Sequence, residues 1–122
     1  MYKLVISDTV EFPVKLTIND AGVIKEFPLR LEAKRRDMEQ LKDELADNGH
    51  MTIADYHQKV CRDSLTGWSQ QRLVVDAEGQ PAPFGPDALD CVLGLPGAAS
   101  LIHGAYMEAI TASTGAAGRA KN

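Results

Sequence analysis

A strict alternation of apolar and polar residues near the start of the chain most limits what it can fold into. Every second residue is apolar across residues 12–18, and the alternation resumes across residues 23–31. Because successive side chains of a β-strand point to opposite faces, the pattern predicts two strands that each bury one face. Residues 19–22, Asn-Asp-Ala-Gly, are typical of a tight turn in which Gly22 takes a positive φ. The sequence therefore predicts an antiparallel hairpin.

Three further residues, Tyr2, Leu4 and Ile6, also alternate and are candidates for a third strand, which would extend the hairpin to a meander. Pro13 and Pro28 interrupt the predicted strands. Since proline has no backbone N–H to donate, we expect both at sheet edges or bulges.

After residue 33 the apolar period becomes helical. Met38, Leu41 and Leu45 recur at helical spacing among charged residues, and Asn48-Gly49 is a suitable end for this first helix. Such an apolar strip ordinarily packs on the neighbouring sheet, so packing against the hairpin is the first expectation. The alternative is that Met38, Leu41 and Leu45 bind a partner, because an amphipathic helix can bury its apolar face in a groove of another protein.

The remaining chain predicts three more short helices and an extended segment. The second helix begins after Thr52 and stops near Gly67, and a short strand is expected at residues 73–75. Residues 80–84 are expected to be extended, because each proline disfavours helix in the residue before it. The third helix starts at Gly85-Pro86 and the fourth covers residues 98–113. Besides the apolar face of the hairpin, each of these three helices has a predicted apolar face. The faces are Ile53, Tyr56, Val60 and Cys61 in the second helix, Leu89, Val92 and Leu93 in the third, and Ile102, Ala105, Tyr106 and Ala109 in the fourth.

These elements predict an α+β fold, with an N-terminal hairpin or three-stranded meander followed by about four short helices. We expect one domain over residues 1–115, divided into a β-hairpin region at 1–33 and a mainly helical region at 34–115. Residues 116–122 are small and polar and are expected to form a flexible tail.

Composition and charge exclude several classes of protein. The net charge of −4 argues against nucleic-acid binding, which needs a basic face. No apolar run is long enough for a membrane span, and no signal peptide is recognisable. We therefore expect a cytoplasmic protein.

Candidate catalytic and metal-binding residues are few. Four residues could together bind a metal ion: His57, Cys61, Cys91 and His103. However, the sequence has none of the close paired spacings, such as C-x-x-C, that are typical of zinc sites. A cysteine nucleophile needs an electropositive setting, whereas both cysteines are expected to be reduced and to face the core. We therefore expect no metal, no cofactor and no catalytic residue.

The second half of the chain resembles a known family. Gly67-Trp68 is followed by Val-Val-Asp-Ala-Glu-Gly-Gln-Pro-Ala-Pro-Phe at residues 74–84. This order resembles the "GW…V-x-D-x-x-G-x-P-x-P-F" stretch of the tail assembly chaperones of long-tailed, siphovirus-type phages and prophages. The later Ala105-Tyr106 pair and the final Lys121-Asn122 are also similar to that family, whereas Gly85 stands where we would expect a serine. The likeness covers residues 67–122.

The resemblance implies a non-enzymatic protein of the bacterial host cytoplasm that is not expected in the mature virion. Such chaperones bind the tape measure protein, keep it soluble and help tail tube protein subunits assemble along it. They tend to form homo-oligomers. The alternative function is a structural tail or head–tail joining component of the virion, and a small metal-dependent or thiol enzyme is a third possibility from a different class.

Overall fold

The computed structural model describes residues 1–113, and these residues form an α+β fold. The elements in chain order are β1 (Thr9–Asp20), β2 (Val23–Lys34), α1 (Met38–Asp47), α2 (Ile53–Ser64), β3 (Leu65–Ser69), α3 (Pro86–Leu93) and α4 (Ala98–Ile110). The strands make one antiparallel sheet in the order β1-β2-β3. The predicted tail at residues 116–122 lies outside the described residues.

The predicted hairpin is confirmed and is longer than the alternation indicated. β1 and β2 each contain 12 residues and pair along their whole length, with Phe12 opposite Leu31. The two connecting residues, Ala21 and Gly22, have φ values of 55° and 91°. Positive φ at both positions is the geometry of a type I′ turn, whose twist matches that of the flanking strands. The Gly22 N–H also donates to Asn19 Oδ1 at 2.8 Å.

The third strand is not the one that the sequence indicated. Residues 1–6 form no strand, and their apolar side chains are exposed. Instead, α2 ends at Ser64 and the chain continues directly as β3, which pairs with the last part of β2. The strand expected at residues 73–75 is reduced to a single bridge between Val75 and Pro81. The meander prediction was therefore right in its strand number and wrong in its third member.

Pro13 and Pro28 lie at positions where the β1–β2 pairing does not use a backbone N–H. In a hairpin closed by two residues, pairs alternate between hydrogen-bonded and non-hydrogen-bonded positions, starting from the bonded pair Asp20–Val23. Pro13 and Pro28 both fall at non-hydrogen-bonded positions. The Pro13 position faces the free edge of β1, and the Pro28 position faces the β3 side just beyond the point where pairing with β3 begins, at Arg30. Both prolines therefore preserve the β1–β2 ladder.

The core lies between one face of the sheet and the helices α2, α3 and α4. The strands contribute Val10, Phe12, Val14, Leu16, Leu29, Leu31, Ala33 and Leu65, and the helices contribute Val60, Cys61, Leu89, Val92, Leu93, Ala98, Ala99, Ile102 and Tyr106. The predicted apolar faces of α3 and α4 are thus in the core, although Ala105 and Ala109 are only half-buried. At the start of α2, Ile53 was expected on the buried face but is exposed. α4 ends at Ile110, three residues before the predicted end at residue 113.

Candidate partner-binding surface

Helix α1 is stabilised locally at its start. Asp37 is the N-cap residue, and its carboxylate accepts a hydrogen bond from the Gln40 N–H at 2.8 Å. The Gln40 side chain returns the interaction by accepting from the Asp37 N–H at 2.9 Å. This reciprocal capping box satisfies two N–H groups that the first helical turn leaves without partners. The box fixes where the helix starts without any help from a hydrophobic core.

No residue of α1 is buried. The side chain of Met38 is 64% exposed and that of Leu45 is 60% exposed, while Leu41 is half-buried between them. The expectation that this strip packs on the hairpin is therefore wrong for Met38 and Leu45. Met38, Leu41 and Leu45, the three residues that the sequence identified as a candidate partner-binding set, form what we call the α1 strip. It is an apolar strip at helical spacing that the protein's own core does not cover.

A shielded ion pair holds α1 to the rest of the molecule. Arg36, just before the helix, pairs with Glu44, two turns into it, and only 9% and 25% of their side chains are exposed. The charges of both groups act on Tyr56 of α2 and Tyr106 of α4, which places the pair beside these rings. Burial is the main cause that raises the pKa of both tyrosines. The polar side of α1 thus faces the body of the protein.

The two thiols have different environments. Cys61 is buried, its thiol donates to the Ala99 carbonyl at 3.6 Å, and burial raises its pKa to about 12. A thiol with so high a pKa does not form the thiolate that nucleophilic catalysis requires. Cys91 was also expected in the core, but it lies on the exposed side of α3. The core face of that helix is instead formed by Leu89, Val92 and Leu93.

The two histidines of the candidate metal set lie together, but as a stack. The rings of His57 and His103 are 4.2 Å apart with an angle of 22° between their planes, and Tyr56 meets His103 edge to face. His57 Nδ1 is 2.8 Å from the Ser100 hydroxyl. Burial, and then the charge of His57, lower the pKa of His103. Stacked rings do not aim their nitrogens at a common point, and residues 1–113 contain no group of three or more His, Cys, Asp or Glu residues arranged to hold a metal ion.

The family-like stretch after β3 folds into a small loop fastened by two aromatic rings. Trp68 and Phe84 meet edge to face with ring centroids 5.2 Å apart, and the Trp68 indole N–H donates to the Ala82 carbonyl at 3.1 Å. Asp76 Oδ1 accepts from the N–H groups of Glu78 and Gln80, both at 2.9 Å, and so holds the turn closed. Gly79 has a φ of 82°, a value that L side chains rarely adopt. The Trp, Asp, Gly and Phe of the motif therefore have structural roles in one loop.

Gln71 completes this loop and was missed in the sequence. Its side chain is buried, donates to the Val74 and Ala82 carbonyls at 2.9 and 3.1 Å, and accepts from the N–H groups of Leu73 and Val74. A polar residue between two other polar residues gives no periodic signal, since its burial depends on the loop closing around it.

Comparison with protein-family models, with curated proteins and with solved structures finds no match for this chain. Within residues 1–113, no single helix has the length and hydropathy of a membrane span; α3 and α4 reach them only in combination and meet at an angle of 107°. The site is therefore interpreted from its geometry and from the motif residues, and the feature that stands out is the uncovered α1 strip.

Proposed function

We propose that this protein is a non-enzymatic tail assembly chaperone, which binds the tape measure protein in the cytoplasm of a bacterial host during phage tail morphogenesis. The observation that carries the binding role is the exposure of the α1 strip. An apolar helical strip that its own core leaves uncovered is suited to pack against another amphipathic helix. The family named in the proposal comes from the motif at residues 67–84.

The chemistry of the strip suits a long helical client. Met38 has a flexible thioether side chain that adapts to partners of irregular shape, and Leu41 and Leu45 supply branched apolar area. The same helix carries Glu39, Asp43 and Asp47, which keep the flanks of the strip charged. A surface of this kind binds a partner through its apolar side chains. The charged residues around it reduce non-specific association with other proteins.

The closed loop at Trp68–Phe84 supports the family assignment in a second way. Trp68, Asp76, Gly79 and Phe84 of the motif all help to close one loop, which is consistent with the motif marking a local structure rather than a set of unrelated residues. In the proposed function this loop is part of the scaffold. The tail tube protein and further copies of the chain are additional proposed partners, and the protein is absent from the mature virion.

The direct experiment is co-expression with the cognate tape measure protein. We expect the client to be soluble with the wild-type protein and to pellet without it. Leu45→Asp should abolish the solubilising effect while leaving the thermal unfolding midpoint nearly unchanged, because exposed side chains contribute little to stability. Leu101→Asp on α4 is the matched control, since Leu101 is also exposed but lies outside the strip. Equal client solubility with wild type and Leu45→Asp would remove the α1 strip from the proposal.

The alternative function, a structural tail or head–tail joining component, predicts the opposite location of the protein. Quantitative mass spectrometry of purified particles separates the two. The chaperone proposal expects the protein in infected-cell lysate and not in particles, whereas a fixed number of copies per particle would favour the structural role.

A further inference from the structure

Residues 1–6 form an exposed apolar segment whose own molecule does not cover it. Leu4 is 78% exposed and Ile6 is 53% exposed, and Tyr2 and Val5 are even more exposed. Tyr2, Leu4 and Ile6 alternate with Lys3 and Val5, which is the side-chain pattern of a strand with one apolar face. Clusters of exposed large apolar side chains mark interaction sites in soluble proteins.

The edge of β1 that faces away from β2 is free of any strand within residues 1–113. By the alternation of the hairpin pairs, Thr9 and Glu11 direct their N–H and C=O groups toward this edge, and Pro13 directs a C=O group there. The same alternation makes Asp8 and Arg35 the next hydrogen-bonded pair. The Arg35 N–H does donate to the Asp8 carbonyl, at 2.7 Å. Because the Thr9 N–H donates to Ser7 Oγ and Pro13 has no N–H, the open groups of this edge are the Glu11 N–H and the C=O groups of Thr9, Glu11 and Pro13.

A groove runs alongside this edge, between β1 and the C-terminal half of α4. It has a volume of about 640 Å³ and is open to solvent. Ala105 and Ala109 form the part of its wall on α4, and their small side chains leave room for larger ones. Glu11, Glu108 and Arg35 add charged groups of both signs to its lining, and Glu11 is paired with Arg30 at 3.2 Å. The groove thus combines small side chains on α4 with a free strand edge on β1.

The segment is not directed into the groove of its own molecule. To reach its own β1 edge, the chain would have to reverse direction at Ser7 and Asp8. Both carbonyls are engaged by Arg35, which donates from its backbone N–H to Asp8 at 2.7 Å and from Nε to Ser7 at 2.8 Å. Ser7 Oγ also accepts from the Thr9 N–H at 3.3 Å. The two Arg35 contacts hold the Ser7 and Asp8 carbonyls toward the β2 side, whereas the Ser7 hydroxyl engages the Thr9 N–H on the free-edge side.

We propose that residues 2–6 of one copy of this chain add as a strand to the free edge of β1 in a second copy, in the groove between β1 and α4. In an antiparallel register with Lys3 opposite Glu11, Tyr2 lies opposite Phe12 and Leu4 opposite Val10, both core-facing residues of β1. This pairing supplies partners for the outward Glu11 N–H and for the outward C=O groups of Thr9 and Glu11. With Tyr2, Leu4 and Ile6 toward α4, Lys3 lies on the opposite face of the added strand, the same face as Glu11. Glu11 already pairs with Arg30 at 3.2 Å, so in this register the Lys3 amine joins an existing ion pair on that face.

The occupant is a second copy because both halves of the interaction are in this chain: the exposed apolar segment at residues 2–6 and the free edge of β1 beside the groove. Exchange of identical elements between copies is a common route to homo-oligomers. The proposed function includes self-association of the chain, and the inference rests on the proposed function in that respect alone. It uses none of the α1 strip residues and needs no client, so purified protein tests it separately from tape measure binding.

The first test measures self-association by analytical ultracentrifugation. We expect the wild type to form species larger than the 13.2 kDa chain, and Leu4→Asp to raise the dissociation constant by at least about tenfold. Leu4 is exposed, so its substitution leaves the isolated fold unchanged. A wild-type protein that sediments only at 13.2 kDa at millimolar concentration would overturn the inference.

The second test acts on the edge. Glu11→Pro removes an N–H that faces the groove and keeps the hydrogen bonds between β1 and β2, as Pro13 does naturally. Thr17→Pro controls for a proline on the same edge beyond the groove residues, and Glu11→Ala controls for loss of the Glu11–Arg30 ion pair while keeping the N–H. We expect the strongest loss of association for Glu11→Pro, with circular dichroism unchanged in all three variants. Equal loss in Glu11→Pro and either control would contradict the docking site.

The third test distinguishes exchange between copies from folding back within one copy. Protein labelled with ¹⁵N is mixed with unlabelled protein and treated with a carbodiimide, which joins lysine amines to carboxylates. Cross-links between Lys3 and Glu11 that combine labelled and unlabelled peptides support the exchange. Cross-links confined to peptides of one isotope, or no cross-link at these residues, would overturn it.

Discussion

The Tyr106 hydroxyl donates a hydrogen bond to the Lys34 carbonyl, 2.7 Å away and 72 residues earlier in the chain. The bond ties α4 to the end of β2, immediately before the connection to α1. Arg36 lies two residues further on and forms the shielded ion pair with Glu44. The last helix, the sheet and α1 therefore meet at one polar junction, although α1 contributes nothing to the apolar core.

Replacing Glu44 with Gln should detach α1. The substitution leaves the Arg36 guanidinium shielded without an anion, and we expect a loss of about 1–3 kcal/mol in the free energy of unfolding. Hydrogen exchange should rise in residues 38–47 more than in the core strands. Glu39→Gln is the control, because Glu39 is exposed on the same helix and has no part in the junction. Equal stability of both variants would show that the ion pair does not hold the helix.

Loss of the Gln71 side chain should open the motif loop. Gln71→Ala leaves the Leu73 and Val74 N–H groups without their acceptor, so we expect a loss of about 2–3 kcal/mol in urea denaturation. The single Trp68 reports on the loop directly, and its fluorescence should shift to the red as Phe84 moves away. Gln80→Ala should change neither measurement, since the Gln80 hydrogen bonds in this loop come from its backbone.

Acidification should destabilise the protein through His103. Its folded pKa is lowered, first by burial and second by His57, so the unfolded chain binds a proton more readily. Stability from this residue is therefore complete above the ordinary histidine pKa of about 6.5 and is lost as pH falls from there toward the lowered value. We expect His103→Gln to reduce the difference in melting temperature between about pH 8 and pH 5.5. His50→Gln, on an exposed histidine, should retain the wild-type difference.

Alkylation should distinguish the two thiols. At about pH 8, iodoacetamide should modify Cys91 in the folded protein and leave Cys61 unmodified, because Cys61 is buried and its pKa is raised to about 12. Both should react after denaturation, as peptide mass spectrometry will show. Rapid modification of Cys61 in the folded state would mean that α2 and α4 separate readily at this point.

The sequence predicted correctly those elements in which the spacing of apolar residues fits only a strand or only a helix. The hairpin followed from alternation in both strands, and the cores of α3 and α4 followed from Leu89, Val92, Leu93, Ile102 and Tyr106. The third strand did not, because Leu65–Ser69 contains a glycine and two polar residues and shows a weaker alternation than residues 2–6. Whether residues 65–69 form a strand depends on the position of the end of α2 beside β2. The local sequence pattern does not contain this information.

The sequence indicated the apolar spacing of the candidate partner-binding residues but not their exposure, and their binding of a partner stays a prediction. The spacing of Met38, Leu41 and Leu45 is the same whether the strip packs inside the protein or faces a partner. The shielded Arg36–Glu44 pair lies on the side of α1 that faces the body, and a pair of charges eight residues apart gives no distinctive sequence signal. Gln71 was missed for a related reason: its four hydrogen bonds all go to backbone groups of its own loop.

Pro13 bears on how far assembly through β1 can proceed. An edge with an unbroken row of donors is a template for indefinite strand stacking, which is how cross-β fibrils grow. The pyrrolidine ring removes one donor from the middle of this edge and ends the usable stretch after Glu11. The proposed strand addition is therefore limited to a short stretch, and the edge is a poor template for amyloid growth.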